Sequence, residues 1–303
     1  MARTRLPTVV GEKPVVRVVL PAGPLIGHEA NFTAGLCELE KYGFEIRWDP
    51  KRAEEHWRGY LGGTDATRLT EFKAALVEPD VDVVWCGRGG SGCNRIADDI
   101  LKFAKTLPTP KCLIGFSDIT AILNPLSQQL GWITFHGPVI TSLATDYIET
   151  DISEILRVFR GQQTELILPE PFDEPKVSGR LLGGNLTVLA SMLGTPTAPR
   201  AEHKSIWLLE DVGEPAYRLD RAFNQLKRAG LFENASAIWL GDLGLSDRNT
   251  EIQMYEQLRS DAPCPVLLNA PAGHRASLRA LPLGATVDIQ GGRLTNQHPW
   301  VTQ

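Results

Sequence analysis

The first half of the chain alternates short runs of β-branched and aromatic residues with stretches in which apolar positions recur at helical spacing. Runs at residues 15–20, 44–48, 81–86, 112–116 and 133–136 read as strands, and residues 32–42 and 66–77 between them read as amphipathic helices that stop near Gly43 and Asp80. This rhythm predicts βαβ units around a parallel sheet, an α/β fold whose functional groups gather at the C-terminal ends of the strands.

Near residue 166 the pattern breaks into L-P-E-P-F-D-E-P, which has little to bury and reads as a linker over residues 166–178. The expected division is an N-terminal α/β domain over 1–165 and a C-terminal domain over 179–303. In the second part a helix is predicted to begin near Asn185, with strands at 205–209, 237–240 and 266–268 and a helix at 217–229. The tail, 281–294, alternates like terminal β structure, and no repeat or low-complexity tract interrupts it.

Composition narrows the function classes. With 43% hydrophobic and 22% charged residues in a 303-residue chain, a folded globular protein is expected rather than disorder. A formal net charge of -5 gives no clustered basic footprint for nucleic acid. The five cysteines, Cys37, Cys86, Cys93, Cys112 and Cys264, are odd in number and contain no C-x-x-C pair, which argues against a disulfide framework and a zinc site. Glu12, Lys13 and Arg17 interrupt the early apolar run before it forms a signal-peptide core, and no later run is long enough for a membrane helix. The expectation is a cytoplasmic protein acting on small or peptide substrates.

Four segments carry chemistry. G-F-S-D-I-T, residues 115–120, puts Ser117 on a turn after a buried strand, where the next backbone N–H is free to meet an oxyanion. Ile119 stands where an α/β-hydrolase elbow has its second glycine, and Ser117 or Asp118 can equally be a helix N-cap. W-C-G-R-G-G-S-G-C-N-R, residues 85–95, formally satisfies G-x-G-x-x-G through Gly87, Gly89 and Gly92. That fingerprint belongs after the first strand of its unit, whereas this loop follows the third predicted one. Its glycines serve an oxyanion or a substrate carboxylate just as well.

I-W-L-L-E-D-V-G-E, residues 206–214, delivers Glu210 and Asp211 at a strand end, where a carboxylate can orient an imidazole. Asp211 and Glu214 also suit the cap of the helix that follows, which leaves Glu210 without a structural duty. N-A-P-A-G-H-R, residues 269–275, offers His274 on a Gly/Pro loop with room to reach across a cleft, a suitable place for a proton shuttle. His136 lies near a strand end and reads as a satisfied polar residue.

Together these segments resemble the LD-carboxypeptidases, also called muramoyltetrapeptide carboxypeptidases, a family of serine peptidases. The resemblance runs through L-P-A-G-P, Y-L-G-G-T-D, R-G-G-x-G-x-N-R, G-F-S-D-I-T, G-G-N-L, L-G-T-P, L-E-D-V-G-E-x-x-Y-R-L-D-R and G-H with a following L-P-L-G. It implies a flavodoxin-like N-terminal domain, a β-rich C-terminal domain, and a triad of Ser117 as nucleophile, His274 as base and Glu210 as its orienting acid. Gly89, Gly90 and Asp118 are the accompanying candidates for the oxyanion and substrate contacts. The implied substrate is a murein tetrapeptide, free or attached to a muramoyl sugar, cut before its terminal D-alanine in peptidoglycan recycling. No metal or organic cofactor is implied, and the family suggests a homodimer.

Two departures stand out. Ser91 occupies a loop position that is usually aromatic in the family, and Arg275 follows the histidine where no fixed residue is expected. A relative of the same fold that hydrolyses acyl-sulfamoyl adenylates in antibiotic self-immunity is the nearer rival. It calls for a purine-stacking aromatic on an inserted loop, which this sequence does not display. A nucleotide-binding oxidoreductase or binding module built on residues 87–92 is the more distant one.

Overall fold

The apolar runs of the first half become the inner strands of one sheet. The computed structural model describes residues 3–145, 150–168, 176–275, 277–296 and 299–302. Its first part runs β1 (Val15–Val19), α1 (Glu29–Lys41), β2 (Glu45–Arg47), α2 (Asp65–Val77), β3 (Val83–Cys86), α3 (Ala97–Ala104), β4 (Cys112–Gly115), α4 (Thr120–Leu130) and β5 (Thr134–His136). After α5 (Ile152–Phe159) and β6 (Glu165–Ile167) come β7 (Val177–Asn185), α6 (Leu186–Ser191), β8 (Ser205–Glu210) and α7 (Ala216–Arg228). The chain finishes with β9 (Ala235–Leu240), α8 (Arg248–Asp261), β10 (Val266–Leu267), β11 (Leu281–Leu283), β12 (Thr286–Gln290) and β13 (Arg293–Thr295).

Strands β2, β1, β3, β4 and β5 lie parallel in that order, the flavodoxin-like arrangement, with the strand order reversing between β1 and β3. Every residue of β3 and β4 is buried, as expected of parallel strands covered on both faces. A second sheet has the order β10-β9-β8-β7-β12-β13-β6, parallel from β7 to β10 and antiparallel beyond β7. The protein is thus a mixed α/β molecule with two sheets, and no helix among the described residues is long and apolar enough to cross a membrane.

The predicted linker needs restating against these strands. Leu166 is fully buried in β6, which pairs with β13, and Val177 already opens β7, so both ends of the 166–178 stretch belong to the second sheet. Pro169 to Pro175 lie outside the described residues. The tail also divides between the sheets, because β11 runs antiparallel along β5 and completes the first sheet with a strand from the far end of the chain.

The two sheets are joined through α4 and β7. Asn124 accepts from Gly183 N at 2.8 Å and returns a bond from Nδ2 to the Gly183 carbonyl, and Thr120 Oγ1 accepts from Asn185 N at 3.0 Å. A Cβ at Gly184 would stand 2.4 Å from Thr120 Oγ1, so only glycine lets the β7 backbone pack this closely on the Thr120 side chain. Arg180 of β7, ion-paired with Glu202 at 2.6 Å, adds a bond to the Ser127 carbonyl at 2.5 Å.

Candidate active site

Ser117 stands just past β4 in a left-handed conformation, φ 62°, which costs a side-chain-bearing residue about 1 kcal/mol or more. Phe116 before it is extended, and no side chain caps the short turn at Ser117–Ile119 or the helix α4 that follows. The N-cap expectation for Ser117 or Asp118 therefore fails. The Asp118 carboxylate reaches sideways instead and accepts from Cys93 N at 2.8 Å, fixing the glycine loop to the serine turn. Burial raises the Asp118 carboxyl above its ordinary range, against the pull of the Cys93 donor and the Arg68 charge.

The loop after β3 is built to approach this turn. A Cβ on Gly89 would lie 2.9 Å from the Ser117 Cβ and 3.1 Å from its Oγ, so the serine packs directly on Gly89. The Gly89 carbonyl accepts from Gly23 N at 3.0 Å, while Gly90 and Gly92 take φ of 121° and 112° that only glycine adopts readily. Gly89, Gly90, Asp118 and Ser117 are thus brought together at the ends of β3 and β4.

Glu210 and His274 meet at the corresponding edge of the second sheet. Glu210 closes β8, is fully buried, and sits 3.1 Å through Oε2 from Nδ1 of His274, which stands on the loop after β10 and is one-fifth exposed. The approach is off the line of a good hydrogen bond, leaving Nδ1 and both carboxylate oxygens without an aligned partner. Burial lowers the His274 pKa, but the Glu210 charge and contact, with smaller help from Asp211 and Asp242, outweigh it and hold the imidazole above its ordinary value.

Phe116 connects the two edges. Its ring lies 4.7 Å from that of His274, centroid to centroid, which places the imidazole beside the residue preceding the serine. His136 lies 6.1 Å away from the same ring, fully buried, with neither nitrogen hydrogen-bonded among the described residues. The reading of His136 as a satisfied polar residue is therefore corrected. Burial, with a smaller contribution from His274, pushes its pKa down to about 3 and keeps it neutral.

Asp211 does cap a helix, but a different one from that expected. Its carboxylate accepts from Thr187 N at 2.9 Å in the first turn of α6, from Val212 N at 2.8 Å and from the Asn185 amide at 3.3 Å, whereas α7 has Pro215 at its N-cap position and no side-chain cap. Glu214 pairs with Arg218 at 3.2 Å. Arg275 is occupied as well, holding Asp242 at 3.1 Å and the Leu245 carbonyl at 2.7 Å, so it pins one loop to another beside His274. Sequence reasoning overlooked Thr120, Asn124 and the second role of Asn185; the T of G-F-S-D-I-T and the G-G-N of β7 were visible, but their pairing was not. Among the described residues, no group of three or more His, Cys, Asp or Glu is arranged to hold a metal.

Known proteins share this architecture. Residues 16–137 match the LD-carboxypeptidase N-terminal domain, and residues 178–289 match the LD-carboxypeptidase C-terminal domain. The murein tetrapeptide carboxypeptidase of Pseudomonas aeruginosa is 34% identical over 293 residues, covering 92% of this chain and 94% of that protein. The crystal structure of muramoyltetrapeptide carboxypeptidase from Oxalobacter formigenes superposes with a TM-score of 0.74 at 27% identity, covering 94% of this chain and 99% of that one. The microcin C7 self-immunity protein MccF, in complex with aspartyl sulfamoyl adenosine, shares the fold with a TM-score of 0.82 at 22% identity, covering 98% of this chain and 99% of that one. With both family domains matched in order over most of its length, the chain belongs to the LD-carboxypeptidase family of peptidases.

Proposed function

We propose that this peptidase is a serine LD-carboxypeptidase that removes the terminal D-alanine of murein tetrapeptides, as a cytoplasmic homodimer needing no cofactor. The observation carrying this reading is the left-handed Ser117 packed on Gly89, with His274 against the neighbouring Phe116 and backed by the buried Glu210. Ser117 Oγ attacks the carbonyl that joins the L-centre of the diamino acid to D-alanine, and its proton passes to Nε2 of His274. Nδ1 faces Glu210, whose charge stabilises the imidazolium. The backbone N–H groups of Gly90 and Asp118 receive the oxyanion, His274 protonates the departing amine, and water releases the acyl group by the reverse steps.

The name of the Pseudomonas aeruginosa relative supports a murein substrate. The likeness to MccF keeps acyl-sulfamoyl adenylates as the second reading. A dinucleotide site has less support, because the glycine loop follows β3 and is packed against Gly23 and Ser117. The test is incubation of the purified protein with muropeptides and with an aminoacyl sulfamoyl adenosine, products read by mass spectrometry and Ser117→Ala as control. D-alanine release from the tetrapeptide, but not from the pentapeptide bearing a second D-alanine, is expected. Turnover of the nucleoside alone favours the second reading, and equal cleavage of tetra- and pentapeptide makes the enzyme an endopeptidase or broader amidase.

A further inference from the structure

Four arginines stand on or beside the segments that follow β1 and β3, and three of them are neutralised. Arg52 pairs with Glu71 at 3.0 Å and also with Glu55, Arg68 pairs with Asp65 at 2.5 Å, and Arg95 pairs with Asp65 at 2.6 Å. Arg88 differs. It is half-buried, its Nη1 donates to the Pro24 carbonyl, and it has no carboxylate partner among the described residues. Its charged neighbour is His28, of the same sign when protonated. Burial lowers the Arg88 pKa without an opposing contribution from any acid.

A cation drawn partly out of water without a counter-ion is costly, and one carbonyl does not use the five N–H groups of a guanidinium. Its position gives the missing anion a place. Arg88 Nη1 lies 3.1 Å from where a Cβ on Gly23 would stand, Gly23 N bonds to Gly89 O at 3.0 Å, and Gly89 is the residue on which Ser117 packs. The guanidinium is therefore set beside the backbone junction that supports the nucleophile. A carboxypeptidase needs a carboxylate receptor near its nucleophile, because the substrate's terminal carboxylate is only one residue beyond the bond that is cut. The planar fork of arginine suits a carboxylate better than a ring of neutral amides does.

We propose that Arg88 binds the C-terminal carboxylate of the substrate and thereby makes the enzyme a carboxypeptidase. The proposal rests on the peptidase reading above and names the specificity residue of that same site. It also separates the two chemistries, since an acyl-sulfamoyl adenosine carries no carboxylate on its leaving side.

The experiment compares wild type, Arg88→Gln and Arg88→Lys on a tetrapeptide ending in D-alanine and on the same peptide ending in D-alaninamide. Wild type should prefer the acid by about a hundredfold, and Arg88→Gln should lose most of that preference through KM on the acid, changing on the amide by less than about threefold. Arg88→Lys should fall between them. Equal losses on acid and amide, or an unchanged preference, overturn the assignment. Should the variants not fold, phenylglyoxal modification of the wild type, mapped by mass spectrometry, takes their place: D-alanine should protect Arg88 and D-alaninamide should not, and equal modification refutes the anchor. Wild type that releases no D-alanine from either peptide sinks the reaction and the anchor together. Release that depends on Ser117 upholds the reaction whatever Arg88 does.

Discussion

The edge that carries Ser117 and the edge that carries Glu210 and His274 are held by different forces. Around the serine the constraints are steric and lie in the backbone: a left-handed residue, a glycine loop without room for a methyl group, and inner strands buried on every residue. Around the histidine they are electrostatic, a buried carboxylate and an imidazole on a loop whose contact is close but not yet aligned. In the proposed mechanism Ser117 must stand at a fixed angle to the oxyanion donors, so rigidity serves it. His274, as the proposed base, must hand a proton first one way and then the other, so it benefits from a neighbour that tunes its charge while leaving some freedom of the ring.

The sharpest way to test this contrast is to remove each edge's own constraint. Ser117→Ala should lower kcat/KM by about a thousandfold or more. Ser117→Gly should be equally inactive yet melt no lower than wild type, because the left-handed strain that glycine relieves, about 1 kcal/mol or more, offsets the extra entropy glycine gives the unfolded chain. A clear loss of thermal stability in Ser117→Gly would show that the turn is not strained. On the other edge, Glu210→Gln should reduce kcat by about a hundredfold or more while leaving KM nearly unchanged. In the proposed mechanism the neutral imidazole is the base, so activity should rise as pH climbs through the His274 pKa, which the Glu210 charge holds above its ordinary value. Deleting that charge should move the acid limb of the pH profile downward. Asp211→Asn should cost only a few-fold in kcat, since that carboxylate serves α6; a larger effect than that of Glu210→Gln exchanges their roles.

Smaller effects test how the edges are kept in register. Asn124→Ala removes both bonds to Gly183 and should cost about 2 kcal/mol in denaturant unfolding and about tenfold in kcat. Stability lost with kcat intact would mean that the clasp serves folding alone. His136 makes a prediction about acid stability. Its folded pKa of about 3 lies below the ordinary 6.5, so its contribution is complete above 6.5 and declines as pH falls towards 3. The slope is at most about 1.4 kcal/mol per pH unit, and His136→Phe should flatten it in melts taken between those limits.

Much of the Ser117 edge was legible in the sequence because its determinants are local. A buried run, a turn and a cluster of glycines are contiguous, and the strands and helices of the first sheet follow from period alone. The second edge was legible only as separate candidates. Glu210 stood out because its neighbours had other duties, and the resemblance, not the spacing, joined it to His274. What escaped were contacts made across long separations: Asn124 with Gly183, Asp211 with the start of α6, and Leu281 beside His136. Capping preferences are statistical and cannot say which helix a carboxylate serves, so Asp211 was assigned to the nearer helix in sequence when the nearer one in space was α6. Likewise nothing in the run at 133–136 reveals that its histidine is buried without a partner, since period 2 reports a face and not its neighbours.

The antiparallel strand β11 sets the order of events at synthesis. It lies on β5 through Leu281, Pro282 and Leu283, so the sheet bearing Ser117 has an open edge until residue 283 has been made. At ribosomal speeds of about 5–20 residues per second, that exposure lasts on the order of ten seconds. During it β5 offers unpaired backbone groups to any passing strand. The loop bearing His274 leaves the ribosome just before β11, so that histidine and the strand that seals the sheet of Ser117 arrive together. A chain interrupted ahead of Leu281 would carry Ser117 on an unfinished sheet whose open edge is prone to aggregate.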